Sequence, residues 1–312
     1  MQKVRVLERG DRIAVLAPAS PFDRALFENG VEELRALGFE PVFDEGLFER
    51  SGYIAGSASH RAASLRSVLR NPDLAGVIAV RGGYGSSQLL PLLDPSEVVA
   101  ARKPLIGFSD LTALLIYVST ICETVSFHGP MIVNLALGAD GYDRASFLAS
   151  VGSKEPLGEL SSPGMEALRS GEARGQLLGG TLTQIAASLG TPYAFRPPQG
   201  YVLLLDDIGE RPYRLDRMLT QLGQAGLLSR ASAVVCAEFP DCCEAEAANK
   251  TGHKSNARAV IAELLKDFAG PVLFGIPCGH TKGPTWTLPL GVEVTVSTNP
   301  RPRLVIEEAA VE

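Results

Sequence analysis

Along the first half of the chain, hydrophobic positions follow two alternating patterns. Short apolar runs occur at Ile13–Leu16, Pro41–Phe43, Val77–Val80 and Pro104–Phe108. Between them the periodicity is helical. Phe27, Val31 and Leu34 share one face, Arg61–Leu69 fits a second helix that Asn71-Pro72 ends, and Leu111, Leu114, Leu115 and Val118 recur at helix spacing. The glycines of RGGYGS supply a turn from the third run into Gln88–Leu92. Strand-sized runs alternating with amphipathic helices predict a layered, mostly parallel α/β sheet. Chemistry in such a sheet collects at the carboxyl ends of its strands.

The pattern changes in KEPLGELSSPGMEALRSGEAR, which is rich in Gly, Pro, Ser and charge and reads as a linker or exposed crossover. The expected division is an N-terminal α/β domain over 1–151, a linker over 152–174 and a smaller mixed α/β domain over 175–312. In the second half a strand is expected at Tyr201–Leu205. A helix follows near Tyr213–Leu222, with Leu215, Met218, Leu219 and Leu222 on one face. Alternation continues through Ala233–Val235, Ala257–Leu265 and Val272–Gly275. TWTLPLG, VEVTV and RLVIEE then read as short strands separated by turns.

Composition narrows the class. With 312 residues and 46% hydrophobic content, the chain can bury a substantial core, which argues against disorder. Its 35 acidic and 29 basic residues leave a net charge of -6, against nucleic acid as a main partner. No stretch approaches the roughly 20 apolar residues needed to cross a bilayer. Asp11 and Arg12 interrupt the only candidate secretory run, so the cytoplasm is the expected location. Five cysteines, an odd count, favour reduced thiols over a disulfide framework. Cys236, Cys242 and Cys243, with Asp241, Glu244 and His253 nearby, invite a metal reading. Their spacing contains no paired CxxC arrangement, and no metal is expected there.

Candidate chemistry begins at LIGFSDLTALL, where Ser109 falls between a buried strand and a helix. A serine on such a turn can project its hydroxyl beside helix-start N–H groups, as in a nucleophile elbow, although the GxSxG spelling is missing. The plain alternative is a helix cap. A nucleophilic hydroxyl needs a base, and the base an orienting carboxylate. His60 and His253 lie in polar segments and read as exposed. His128 in SFHGP and His280 in PCGHTKGP could each face a cleft, and the local sequence does not choose between them. VLLLDDIGERPYRLDR ends an apolar strand at Asp206. Asp207 and Glu210 follow and could pair with Arg211, Arg214 or Arg217 on the surface. The RGGYGS backbone could cradle an anion or carbonyl oxygen, but it is neither GxxxxGK[ST] nor GxGxxG.

GDRIAVLAPAS, RGGYGS, PLIGFSDLTALL, SFHGPM, GQLLGGTLT with LGTP, DDIGERPYRLDRMLTQL and CGHTKGPTWTLPLG occur in this order. Together they resemble the LD-carboxypeptidase family, the muramoyltetrapeptide carboxypeptidases or S66 serine peptidases, from Gly10 through Gly291. The resemblance implies a Ser–Glu–His triad carried by two domains. The nucleophile maps onto Ser109 and the base onto His280. Backbone N–H groups of Gly83 and Asp110 map onto the oxyanion hole. Two positions depart from the family pattern. Asp206 stands where a glutamate is usual, one methylene shorter, with Glu210 as the alternative acid. Thr181 stands where GGNLT carries asparagine, which loses the carboxamide's paired donor and acceptor.

The implied activity is serine-dependent removal of terminal D-alanine from cytoplasmic murein tetrapeptides through an acyl-enzyme, by a homodimer that needs no cofactor. Arg81, Arg211 or Arg214 could bind the terminal carboxylate. Two other readings stay open. One is a self-immunity peptidase that cleaves a peptide-nucleotide antibiotic, for which a stacking surface would be needed. The other is a non-catalytic small-molecule binding protein on the same scaffold.

Overall fold

The computed structural model describes residues 1–244 and 255–312. Five strands of the first half are β1 (Arg12–Leu16), β2 (Glu40–Val42), β3 (Gly76–Ala79), β4 (Leu105–Gly107) and β5 (Ser126–His128). Then come β6 (Gly158–Leu160), β7 (Glu166–Arg169), β8 (Glu172–Thr181), β9 (Tyr201–Asp206), β10 (Ala231–Ala237) and β11 (Val272–Ile276). The chain closes with β12 (Leu288–Leu290), β13 (Glu293–Ser297) and β14 (Arg303–Ile306).

These strands build two sheets in a mixed α/β fold. The first has six strands in the order β12-β5-β4-β3-β1-β2, parallel from β5 to β2. Its sixth strand, β12, comes from the far end of the chain and pairs antiparallel with β5. The second has eight strands in the order β6-β14-β13-β8-β9-β10-β11-β7. Its β8–β11 centre is parallel and its flanks antiparallel. All six residues of YVLLLD in β9 are buried. An unbroken apolar run is what a central parallel strand requires, because structure covers both of its faces.

Expected elements and observed ones part in three places. Residues 152–174 are not an irregular linker, since they hold edge strands β6 and β7 and the first residues of β8. Short polar strands at a sheet edge carry little hydrophobic periodicity, so turn-like composition hid them. Ser86–Leu92 forms a 3-10 helix after the glycine turn. The helix after β4 is a composite of a 3-10 turn at Ser109–Leu111, an α-helical Thr112–Ile116 and a π-type turn at Tyr117–Ile121. Every residue of Thr112–Ile116 is buried. This segment is therefore wrapped on all sides instead of facing water along one stripe.

The Arg24–Ala36 helix buries Phe27, Gly30, Val31 and Leu34. At Gly30 the helix crosses the turn carrying Ile132 so closely that a β-carbon would stand 2.1 Å from the Ile132 carbonyl oxygen. Helix propensity favours alanine over glycine by about 1 kcal/mol. A 2.1 Å contact with backbone cannot be relieved by a rotamer change, and overpacking of this kind costs about 1–3 kcal/mol or more. Gly30→Ala should therefore destabilise the protein despite the better helix former. Chemical denaturation should show a lower midpoint, and an unchanged or raised midpoint would contradict the close crossing.

Candidate active site

Three side chains from distant parts of the sequence meet where the two sheets converge. Ser109 lies two residues past the end of β4, with φ at +63°. A non-glycine residue in the left-handed region is uncommon and is held there by its surroundings. Gly82 shows one source of that hold, because a β-carbon there would lie 2.7 Å from Ser109 Cβ and 2.9 Å from its Oγ. Ser109 does not cap the helix. Its Oγ lies 3.1 Å from His280 Nε2. His280 Nδ1 in turn lies 2.6 Å from Asp206 Oδ2 at the end of β9.

Asp206 is fully buried with no lysine or arginine paired to it among the described residues, so its charge is met by other donors. His280 donates its backbone N–H to Oδ2 at 3.1 Å, and Thr181 Oγ1 donates to Oδ1 at 2.8 Å. Register makes the second contact possible, since Thr181 and Asp206 are direct partners on β8 and β9. Burial alone would raise the Asp206 pKa. The hydrogen bond and charge of His280, joined by the hydrogen bond from Thr181, outweigh it, and the carboxyl lies below its ordinary value. For His280, burial disfavours the imidazolium, but the hydrogen bond and charge of Asp206 prevail and its pKa is raised.

A second imidazole approaches from behind. His128 on β5 is completely buried, and its Nε2 lies 3.8 Å from Asp206 Oδ1. Burial, its largest influence, lowers its pKa, so it is neutral near pH 7. Gly279, at φ +62°, threads between the groups, and a β-carbon there would stand 2.4 Å from Asp206 Oδ2 and 2.6 Å from His128 Nε2. His60, expected to be exposed, is half-buried and lines a separate cavity against Arg61 and Asp44.

Asp207 does not reach the surface to pair with arginine. It is buried and accepts from Thr183 N at 2.9 Å and Thr183 Oγ1 at 2.7 Å. Burial pushes its carboxyl up to about 6. Glu210 faces Arg214 at 3.6 Å and makes no hydrogen bond to His280. Arg211 stands exposed at the start of the Pro212–Gln224 helix. Asp110 is buried, its carboxylate accepting from Ser86 N at 2.8 Å and Gln184 Nε2 at 3.2 Å. Gly83 borders the cavity that Ser109 and His280 also line, together with Arg81.

Two supports have no motif of their own. Arg61 is buried and donates to the Pro18, Gly85 and Gly56 carbonyls and to Gln88 Oε1, tying the glycine loop to its neighbours. Its signal was a charge on the same helix stripe as Leu65 and Val68. Thr112 Oγ1 accepts from Thr181 N at 3.0 Å, joining the helix after Ser109 to the second sheet. Among the described residues no group of three His, Cys, Asp or Glu side chains could hold a metal ion. Cys236 and Cys242 are buried, Cys243 is exposed, all five cysteines are free, and His253 lies outside the described residues.

A serine, a histidine and a buried carboxylate in hydrogen-bonded series, at the carboxyl ends of parallel strands, form the constellation of nucleophilic hydrolases. Sequence comparison makes the class specific. The LD-carboxypeptidase N-terminal domain profile matches residues 13–129 and the C-terminal domain profile residues 174–296. The chain belongs to the LD-carboxypeptidase family. It is 32% identical to the murein tetrapeptide carboxypeptidase of Pseudomonas aeruginosa over 86% of this chain and 88% of that protein. The muramoyltetrapeptide carboxypeptidase structure from Oxalobacter formigenes superposes with a TM-score of 0.81 at 28% identity, covering 94% of this chain and 97% of that one. The microcin C7 self-immunity protein MccF of Escherichia coli is 27% identical over 90% of this chain and 88% of its own length. A solved MccF structure shares the fold over the full length of both chains, with a TM-score of 0.88 at 22% identity.

The opposed influences on His280 can be separated by titration. In the wild type, His280 should titrate above the ordinary histidine value of about 6.5, as followed by NMR. In Asp206→Asn burial is opposed only by the charge of Asp207, and the titration should move down from its wild-type position. An unmoved midpoint would show that Asp206 does not set the charge of this imidazole.

Proposed function

We propose that the protein is a serine carboxypeptidase that releases terminal D-alanine from murein tetrapeptides. The observation that carries this reading is the series Ser109 Oγ, His280 and Asp206, at 3.1 Å and 2.6 Å. Ser109 Oγ attacks the carbonyl carbon of the last peptide bond while His280 Nε2 takes its proton. The carbonyl oxygen becomes an oxyanion, received by backbone N–H groups of Gly83 and Asp110. Collapse breaks the C–N bond, and the imidazolium returns its proton to the leaving amine. Water then attacks the acyl-serine, giving its proton to His280, which passes it to Ser109 Oγ as the acyl C–O bond breaks, and the shortened peptide leaves as a carboxylic acid. Asp206 keeps Nδ1 protonated and Nε2 directed at the serine throughout.

The shorter acid is accommodated because Asp206 lies on a buried strand and His280 descends to it, with both its ring and its backbone N–H bonded to one oxygen. The raised His280 pKa implies that turnover increases with pH as the imidazole loses its proton. The names of the Pseudomonas and Oxalobacter relatives support the murein tetrapeptide as substrate. We propose further, from the family resemblance alone, that the reaction takes place in the cytoplasm, in a homodimer of two-domain subunits.

One observation favours a second reading. Tyr53 and Tyr84 are exposed and in edge-to-face contact, ring centroids 5.6 Å apart, with Tyr84 adjacent to Gly83. Such rings could stack a nucleobase, in keeping with the likeness to the self-immunity protein. Mass analysis of purified protein with a murein L,D-tetrapeptide, beside a peptide-nucleotide, separates the two. The expected products are free D-alanine and a tripeptide, and Ser109→Ala should lower the rate by about 10⁴-fold or more. Cleavage of the peptide-nucleotide alone would replace the murein reading. Undiminished hydrolysis by Ser109→Ala would remove the serine from the mechanism.

A further inference from the structure

A carboxypeptidase must distinguish the end of a chain from its interior, and the cavity beside Ser109 contains a group suited to that task. The cavity measures about 340 Å³ and is bordered by Ser109 and His280 on one side. Phe22, Leu26, Met131 and Val133 supply apolar wall. Its remaining polar side chains are Asp23, Asn134 and Arg81. Asp23 Oδ1 is engaged at 3.0 Å by Leu26 N, and Asn134 Oδ1 at 3.0 Å by Met131 N, so both cap local backbone. Arg81 is the one cation bordering the cavity among the described residues. There its only hydrogen bond is a long one, from Nη1 to the Pro21 carbonyl at 3.3 Å, and no carboxylate lies within ion-pair distance. Its guanidinium retains donors in the fork geometry that matches a carboxylate.

Position strengthens the case. Arg81 lies two residues beyond the end of β3 and two residues before Gly83. A group held by Arg81 and an oxygen held at Gly83 would thus be positioned by one short, glycine-rich segment packed on Ser109. Arg214 is engaged with Glu210 and Tyr213, and neither it nor Arg211 borders the cavity.

We propose that Arg81 holds the α-carboxylate of the substrate's terminal residue, with that residue's small side chain against the apolar wall. Selectivity for a free C-terminal acid over a blocked one then depends on Arg81. The inference rests on the serine carboxypeptidase reading above.

The test compares a murein tetrapeptide ending in the free acid with the same peptide ending in a carboxamide. Wild type, Arg81→Lys and Arg81→Gln are each assayed, with thermal melting to confirm folding. Wild type should prefer the acid. Arg81→Gln should lose about 30- to 100-fold in kcat/KM on the acid, chiefly through KM, and the acid-to-amide ratio should fall towards one. Arg81→Lys, which keeps the charge but not the fork, should fall between them. A purely structural defect would depress both peptides in parallel and leave the ratio at the wild-type value, which overturns the proposal. Equal wild-type rates on acid and amide overturn it too, while leaving the serine mechanism standing. A wild type that cleaves neither peptide refutes the underlying reading, and this inference with it.

Discussion

The site is organised around one expensive group, the Asp206 carboxylate at the end of a fully buried strand. A lone anion withdrawn from water would take up a proton, and this one is kept ionised by hydrogen bonds instead. Each donor imposes a condition on the fold. Thr181 must be in register across β8 and β9, and the loop carrying His280 must turn so that ring and backbone N–H reach the same oxygen. That turn leaves no space for a side chain at Gly279. The second sheet is therefore not a passive scaffold, because its central register determines where the imidazole points.

The first sheet answers with a different constraint. Its share is the strained backbone of Ser109, pressed by Gly82 and backed by a segment buried on every side. The hydroxyl comes from one sheet and the carboxylate from the other, with His280 spanning the gap. Thr112 and Thr181 stitch the two halves just behind it.

Much of this was legible in the chain, for identifiable reasons. Buried parallel strands leave uninterrupted apolar runs, which revealed β1, β3, β9 and β10 and put Ser109 and Asp206 at strand ends. The choice of His280 over His128 needed the family resemblance, because both lie in glycine- and proline-bounded segments and both prove to adjoin Asp206. Asp207 was misread because two consecutive carboxylates after a strand look alike in sequence, and only Thr183 distinguishes the buried second one. The edge strands in 152–174 escaped because exposed pairing leaves no periodicity to detect. Arg61 belongs to no motif, although its place on the stripe of Leu65 and Val68 marks it as inward-facing.

Strand β12 has a consequence for how the molecule comes into being. Leu288–Leu290 completes the first sheet by pairing with Ser126–His128, so a segment near the end of the chain closes a sheet begun at Arg12. During synthesis, β5 waits with an open hydrogen-bonding edge while more than half of the polypeptide is still being added. The same segment follows His280 by only a few residues, so the act that seals the first sheet also delivers the imidazole to its place. Closure of the first sheet and placement of the imidazole are thus coupled through one short segment.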